Sequence, residues 1–180
     1  MINRSLPADN VLEEILALQE HIKRIGLKCS LPLAEPESKA YGAFSFSIGA
    51  NKVIYRVARI TPAKVGQFVT VWKRQGEGPI QPYDLADEIA FFIISVSNHN
   101  EKGLFIFPKP TLLSKGIITG HHKEGKRGIR VYPPWDKAVN KQAQKTQQWQ
   151  LAYFLDLAGE VFDTERVKTL LNLRVTLLKG

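Results

Sequence analysis

From Ser38 to Gly76 the chain carries seven basic residues and no acid, and from Lys102 to Gln150 it carries ten basic residues against two acids, Glu124 and Asp136. Cations grouped in this way hold polyanions, because each one set against a phosphate releases condensed counterions. Outside the second stretch the charges balance at fifteen of each sign, so the net charge of +8 comes entirely from it. In the first stretch the candidates are Arg56, Arg59, Thr61, Lys64, Gln67, Trp72 and Lys73. A guanidinium facing inward from a strand must meet a carboxylate, carbonyl groups or a ligand, since an unpaired buried charge is too costly. Arg56 therefore either grips a phosphate with Thr61, Lys64 and the Gly66 peptide, or pairs with Asp84, Asp87 or Glu37; both remain open at this level.

In the second stretch Gly125 and Gly128 bracket Lys126 and Arg127, letting the backbone bend to present them, and Arg130, Tyr132 and Trp135 follow. Aromatic faces beside cations suit unstacked bases and their phosphates, although Trp135 reads better as a core anchor. Lys109, Lys145 and Gln147 complete the candidate set. Gln142, Gln144, Gln147 and Gln150 make an amide-rich surface that can meet base edges, but Gln is also a neutral helix former.

Other chemistries find less support. Metal-dependent hydrolysis of a phosphodiester needs carboxylates around a cation with a lysine beside them. Glu37-Ser38-Lys39 with Asp84 or Asp87 has that composition, yet an acid-x-lysine triplet recurs by chance in any chain with 23% charged residues. A third possibility is a pocket for a small anionic or aromatic molecule lined by Arg56, Thr61, Lys64 and Trp72. His21, His99, His121 and His122 lack metal-ligand spacing, and no nucleophile elbow or dinucleotide fingerprint occurs. Cys29 is the only cysteine and reads as a small buried residue in a reducing compartment. No metal or cofactor is expected. The longest apolar run, Ile89 to Val96, is under half of the roughly 20 residues of a membrane span, and no signal peptide pattern opens the chain. A cytoplasmic protein with no membrane partner is expected; oligomeric state is left open.

The elements that must position these groups follow from periodicity. With 180 residues and 44% apolar content one domain is expected, with an N-terminal helix over about 9–26, an α/β core over about 35–158 and a C-terminal helix over about 164–174. Val11, Ile15, Leu18, Ile22 and Ile25 recur at helical spacing, and Gly26 ends that helix. Ala43 to Ile48 alternates with period two, as does Val53 to Ile60, which puts Arg56 on the face of Ile54 and Ala58. Gln67 to Arg74 is a further strand. Ile89 to Ser97 is a continuous apolar run suited to a sheet centre, and Leu104 to Phe107 is a short strand closed by Pro108 and Pro110. A mobile basic loop is expected over Thr119 to Gly128, and a strand over Ile129 to Tyr132. A helix then runs from the cap Asp136 to Ala158, with Lys137, Lys141, Lys145 and Gln148 on one stripe. The last helix, Thr164 to Leu173, packs through Val167, Leu170, Leu171 and Leu173.

Five blocks carry a resemblance to the MepB-like family of small bacterial proteins: Glu37 to Tyr41, Arg56 to Arg74, Phe105 to Lys109, Gly125 to Trp135 and Lys145 to Gln150. At Arg59 the family pattern more often has lysine, which keeps the charge and changes its geometry. The resemblance implies an α/β fold with a central mixed sheet flanked by helices, similar to the core of restriction-type endonucleases, and nucleic-acid binding as the activity. The stretch equivalent to the nuclease acid-x-lysine strand carries Arg56 and Arg59 with no carboxylate between Ser38 and Gly76. The expected function is therefore a DNA- or RNA-binding module without catalytic activity, with a metal-dependent nuclease or a small-molecule pocket as the alternatives.

Overall fold

Val11, Ile15, Leu18 and Ile22 form the buried stripe of α1 (Ala8–Arg24) in a computed structural model that describes residues 8–172. Asp9 lies in its first turn and Lys23 and Arg24 in its last, matching the helix dipole. Gly26, at φ +89°, turns the chain out of the helix. Pro7, read as preceding it, lies outside the described residues.

The stripe packs on a six-stranded mixed sheet of order β1-β2-β3-β8-β9-β11. Its strands are β1 (Leu33–Ala34), β2 (Phe44–Ile48), β3 (Asn51–Val57), β8 (Phe91–Asn98), β9 (Glu101–Pro108) and β11 (Phe154–Asp156). β3 and β8 run parallel and the other neighbours antiparallel. β8 lies between two strands and is buried from Phe91 to Val96. That location accounts for a run apolar at every position rather than at alternate ones.

The opposite face of this sheet buries Ile54, Phe92, Ile94, Phe105 and Phe107 against Val69, Val71, Ile129 and Val131. The last four are the inward residues of a second layer. It contains a three-stranded sheet of order β10-β5-β4, from β4 (Arg59–Thr61), β5 (Lys64–Thr70) and β10 (Gly128–Val131). A ribbon of β6 (Trp72–Arg74) and β7 (Ile80–Pro82) adjoins in sequence, and α2 (Lys109–Ser114), α3 (Lys141–Leu151) and α4 (Thr164–Leu170) complete the chain.

The expected mixed α/β architecture is present, and several boundaries differ for local reasons. The strand read as Val53 to Ile60 divides at Ala58, whose amide still bonds Ser95 O (2.9 Å) while Arg59 departs into the second sheet. The strand read as Gln67 to Arg74 divides at Val71, whose amide goes instead to Arg127 O (2.9 Å). Pro108 and Pro110 open α2, where a missing amide proton costs nothing. The helix expected from Asp136 begins only at Lys141, because Asn140 caps it by accepting from the Ala143 amide (2.8 Å). It stops before Phe154, which returns to pair with β9. Asp136 is no cap; burial raises its carboxyl above the ordinary range. In α4, Asp163 accepts from Arg166 N (2.9 Å), and Leu173 lies outside the described residues.

The segment Thr119 to Gly128 is not a free loop. Thr119 Oγ1 accepts from Gly125 N (2.9 Å), Ile117 O from Lys126 N (2.8 Å) and Lys123 O from Gly120 N (3.0 Å). Its glycines serve close packing rather than bending. An added Cβ at Gly125 would lie 2.6 Å from Ile117 O, and one at Gly128 2.5 Å from the Phe68 ring.

Candidate nucleic-acid interface

β5 joins the two acid-poor segments, pairing with β4 on one side and with β10 on the other. Arg59 and Arg130 both register with Phe68, and cross-strand partners share a face. Since Gln67 and Val69 are buried on the inner side, this row lies on the outer face. The Arg59 guanidinium lies over Tyr41 (5.3 Å), Tyr41 meets Phe68 edge-on, and Arg130 lies over Phe68 (6.0 Å). Arg130 also donates to Thr61 Oγ1 (2.7 Å) and Gly66 O (3.0 Å), so its guanidinium is fixed before any ligand arrives. Gly66, at φ +83°, lets the Tyr132 ring lie on its backbone; an added Cβ would approach Tyr132 Cε1 to 2.6 Å.

Between this sheet and α3 runs a groove of about 410 Å³. Its cations are Lys64, Lys115, Lys126 and Arg130, its aromatic rings Tyr132 and Trp149, and its polar groups include Asn140, Gln142 and Thr146. None of the described residues lining it is acidic. Lys64, Lys115 and Lys126 are exposed, with no carboxylate within 4.0 Å among the described residues. Lys115 instead lies over the Trp149 ring at 5.4 Å. Cations of one sign around a concavity repel each other and focus a positive field into it, which an entering anion relieves.

Gln150 holds the groove's two walls together. Fully buried, it accepts from Tyr132 N (2.8 Å) and donates to Arg130 O (2.9 Å), so one amide closes the open edge of β10 against α3. Gln150→Leu is expected to destabilise the fold by about 1–3 kcal/mol, since two part-buried backbone groups lose their partners. Urea unfolding measures this.

The other sequence candidates are placed differently. Arg56 is buried to 1% exposure and pairs with Glu35 at 2.6 Å, also donating to Tyr55 O (2.9 Å) beside the Phe92 ring (5.7 Å). Its partner is thus neither a phosphate in the groove nor any of the three acids named from sequence. Gln67 is buried and donates to Ser97 O (3.2 Å). Lys73 pairs with Asp84 (2.9 Å) and Asp87 (2.7 Å), and its hydrogen bond holds the Asp84 carboxyl below the ordinary range. Lys109 donates to Leu85 O and Asp87 O, and Gln147 to Pro133 O and Asp136 O. Trp72 lies in the β6–β7 ribbon under the Arg74 guanidinium (5.7 Å). Arg127 pairs with Glu124 (2.9 Å), and Lys145 is exposed on α3 outside the groove lining. Thr61 meets the groove through Arg130.

The carboxylates weighed for metal-dependent hydrolysis are dispersed: Glu37 pairs with Arg74 (3.0 Å), while Asp84 and Asp87 share Lys73. Among the described residues no group of three His, Cys, Asp or Glu is placed to hold a metal ion. Of the four residues weighed for a small-molecule pocket, Arg56 is buried against Glu35, Lys64 lines the groove and Trp72 lies in the β6–β7 ribbon. Among the described residues no helix is long and apolar enough to cross a membrane.

Lys115 and Asn140 line the groove without having been singled out as contacts, whereas Gln142, Thr146 and Trp149 belong to the amide-rich stretch read as able to meet base edges. Membership of the basic window was the only signal for Lys115. Only the fold shows which side of α3 faces the cations.

Comparison with known proteins agrees with the sequence resemblance. The fold is similar to the crystal structure of MepB at a TM-score of 0.71 and 31% identity, over 86% of this chain and 99% of that one. A bacterial homing endonuclease is a far weaker neighbour, at a TM-score of 0.44 and 14% identity over 83% of this chain and 92% of that one. No curated protein matches. The MepB-like family model matches residues 35–156, which include every strand of both sheets except β1 and the whole of α3, and the chain belongs to that family.

Proposed function

We propose that this protein binds nucleic acid, holding phosphates in the groove between β10 and α3 without performing chemistry on them. One observation carries the reading: two acid-poor segments, far apart in the chain, pair along β5 and supply Lys64, Lys115, Lys126 and Arg130 to one concavity whose described lining has no acid. Arg59 extends the charge along the outer face, and Tyr132 and Trp149 offer aromatic surface to bases. Asn140, Gln142 and Thr146 supply neutral donors and acceptors for sugars and base edges.

The test is a fluorescence-anisotropy titration with labelled DNA and RNA at several salt concentrations. With about four phosphates neutralised, affinity is expected to fall about a hundredfold between about 50 and 200 mM salt. No binding at low salt, or affinity indifferent to salt, counts against the proposal.

A further inference from the structure

On the opposite face of the six-stranded sheet, α1 and the 156–162 segment enclose a second cavity, of about 300 Å³, near the lower size of small-molecule sites. We propose that it binds a small organic cation with an apolar body. This site is independent of the nucleic-acid groove.

The first argument is Glu14. It falls between Val11 and Leu18 on the core-facing side of α1, among residues that are otherwise apolar. A carboxylate kept there, with its side chain at 19% exposure, is largely desolvated and must be met by partners. Glu14 Oε1 takes the Lys102 ammonium at 2.7 Å, while Oε2 accepts from the hydroxyls of Tyr55 and Ser95, each at 3.4 Å. Those two contacts are long against the about 2.7–2.8 Å usual between oxygens, and Glu14 and Tyr55 both line the cavity. Burial, and then the Glu14 charge, push the Tyr55 phenol up, so it stays a hydroxyl.

The second argument is the sign of the lining. Three carboxylates, Glu14, Asp156 and Glu160, face one ammonium, Lys102, in a chain whose overall charge is +8. Asp156 Oδ1 accepts from Ala158 N (2.8 Å), and neither Asp156 nor Glu160 has a basic group within 4.0 Å among the described residues. The lining therefore holds two more carboxylates than ammonium groups, Asp156 and Glu160 being its exposed members, and this balance favours an entering cation.

The third is shape and surface. His21 lies flat on Phe162, with ring centroids 3.8 Å apart at 5°, as one wall, and Leu18, Leu104, Leu157 and Val161 supply apolar surface. Aliphatic and aromatic lining with convergent polar groups fits an amine carried on a ring or short chain. α1 and residues 157–162 lie outside the segment matched by the family model, so the site draws on parts of the chain beyond it.

Calorimetric titration of the whole protein with 2-phenylethylamine, 2-phenylethanol and phenylacetate tests this. The amine is expected to bind saturably and about tenfold more tightly than the alcohol, with phenylacetate weaker still. Amide resonances of residues 14–21 and 155–162 should shift with the amine. The D156N/E160Q variant should bind amine and alcohol alike while keeping the wild-type melting temperature and oligonucleotide affinity, and A17W should weaken both by narrowing the cavity. Absence of amine binding at millimolar concentration, equal affinity for amine and alcohol in the wild type, or shifts mapping to the β10–α3 groove would overturn the proposal. Oligonucleotide binding, read separately, can fail without affecting it.

Discussion

Alanine at Lys64, Lys115 and Lys126 together is expected to lower nucleic-acid affinity about a hundredfold at about 100 mM salt. The slope of log K against log salt should shrink by about 2 for a single strand and nearly 3 for a duplex, because three condensed counterions are no longer released. These lysines suit the experiment because they are exposed and have no carboxylate within 4.0 Å among the described residues. Their removal should change stability by no more than about 0.5 kcal/mol, and relief of mutual repulsion can make the change favourable. Arg130 is a poorer target, since its guanidinium also bonds Thr61 Oγ1 and Gly66 O, and an alanine there mixes lost structure with lost binding. Anisotropy across a salt series, with urea unfolding as the control, gives both numbers. A slope equal to that of the wild type would place the phosphates elsewhere on the surface.

Glu35→Ala is expected to destabilise the protein by about 3 kcal/mol, the lower end of the about 3–5 kcal/mol range for a buried ion pair losing one member, since Glu35 retains some solvent contact. Arg56 then remains at 1% exposure with only Tyr55 O at 2.9 Å, a long contact to the Tyr83 hydroxyl at 3.4 Å and the Phe92 ring. Its Nε has no partner even in the intact protein, so the site has no spare acceptor to compensate. The double variant E35A/R56M should recover much of the loss, because methionine fills similar volume without a charge to desolvate. Urea midpoints decide the stability claim. Oligonucleotide affinity of the folded double variant should equal that of the wild type, which separates a structural Arg56 from a phosphate-gripping one.

Arg56 shows how far local pattern reaches. Alternation placed it on the face of Ile54 and Ala58, and the cost of an unpaired buried guanidinium required a partner. The partner is Glu35 rather than Glu37, and alternation in β3 carries no information about a segment 21 residues earlier. Lys73 is a similar case: its place in an acid-free segment predicted a free cation, but Asp84 and Asp87 reach it from the next segment. A charge window counts neighbours in sequence, whereas an ion pair is made by neighbours in space. The helix expected from Asp136 failed for another reason. Both Asp136 and Asn140 are competent caps, and the choice of Asn140 follows from the loop that Gln147 ties down through Pro133 O and Asp136 O.

By itself the sequence determined the order of the principal elements, the inward faces of α1 and β2, the division of β3 into two faces with Arg56 beside Ile54, the central position of β8 and the two acid-poor segments. These depend on spacing and composition, which act over a few residues. Tertiary structure alone decided that β4 and β10 flank β5, which cations stand without a carboxylate among the described residues once Glu35, Asp84, Asp87 and Glu124 have taken theirs, and that a cavity lined by Glu14, Asp156 and Glu160 opens beside α1. Those outcomes depend on strand pairing and distance between remote residues, where Coulomb energy and packing are set by separation in space.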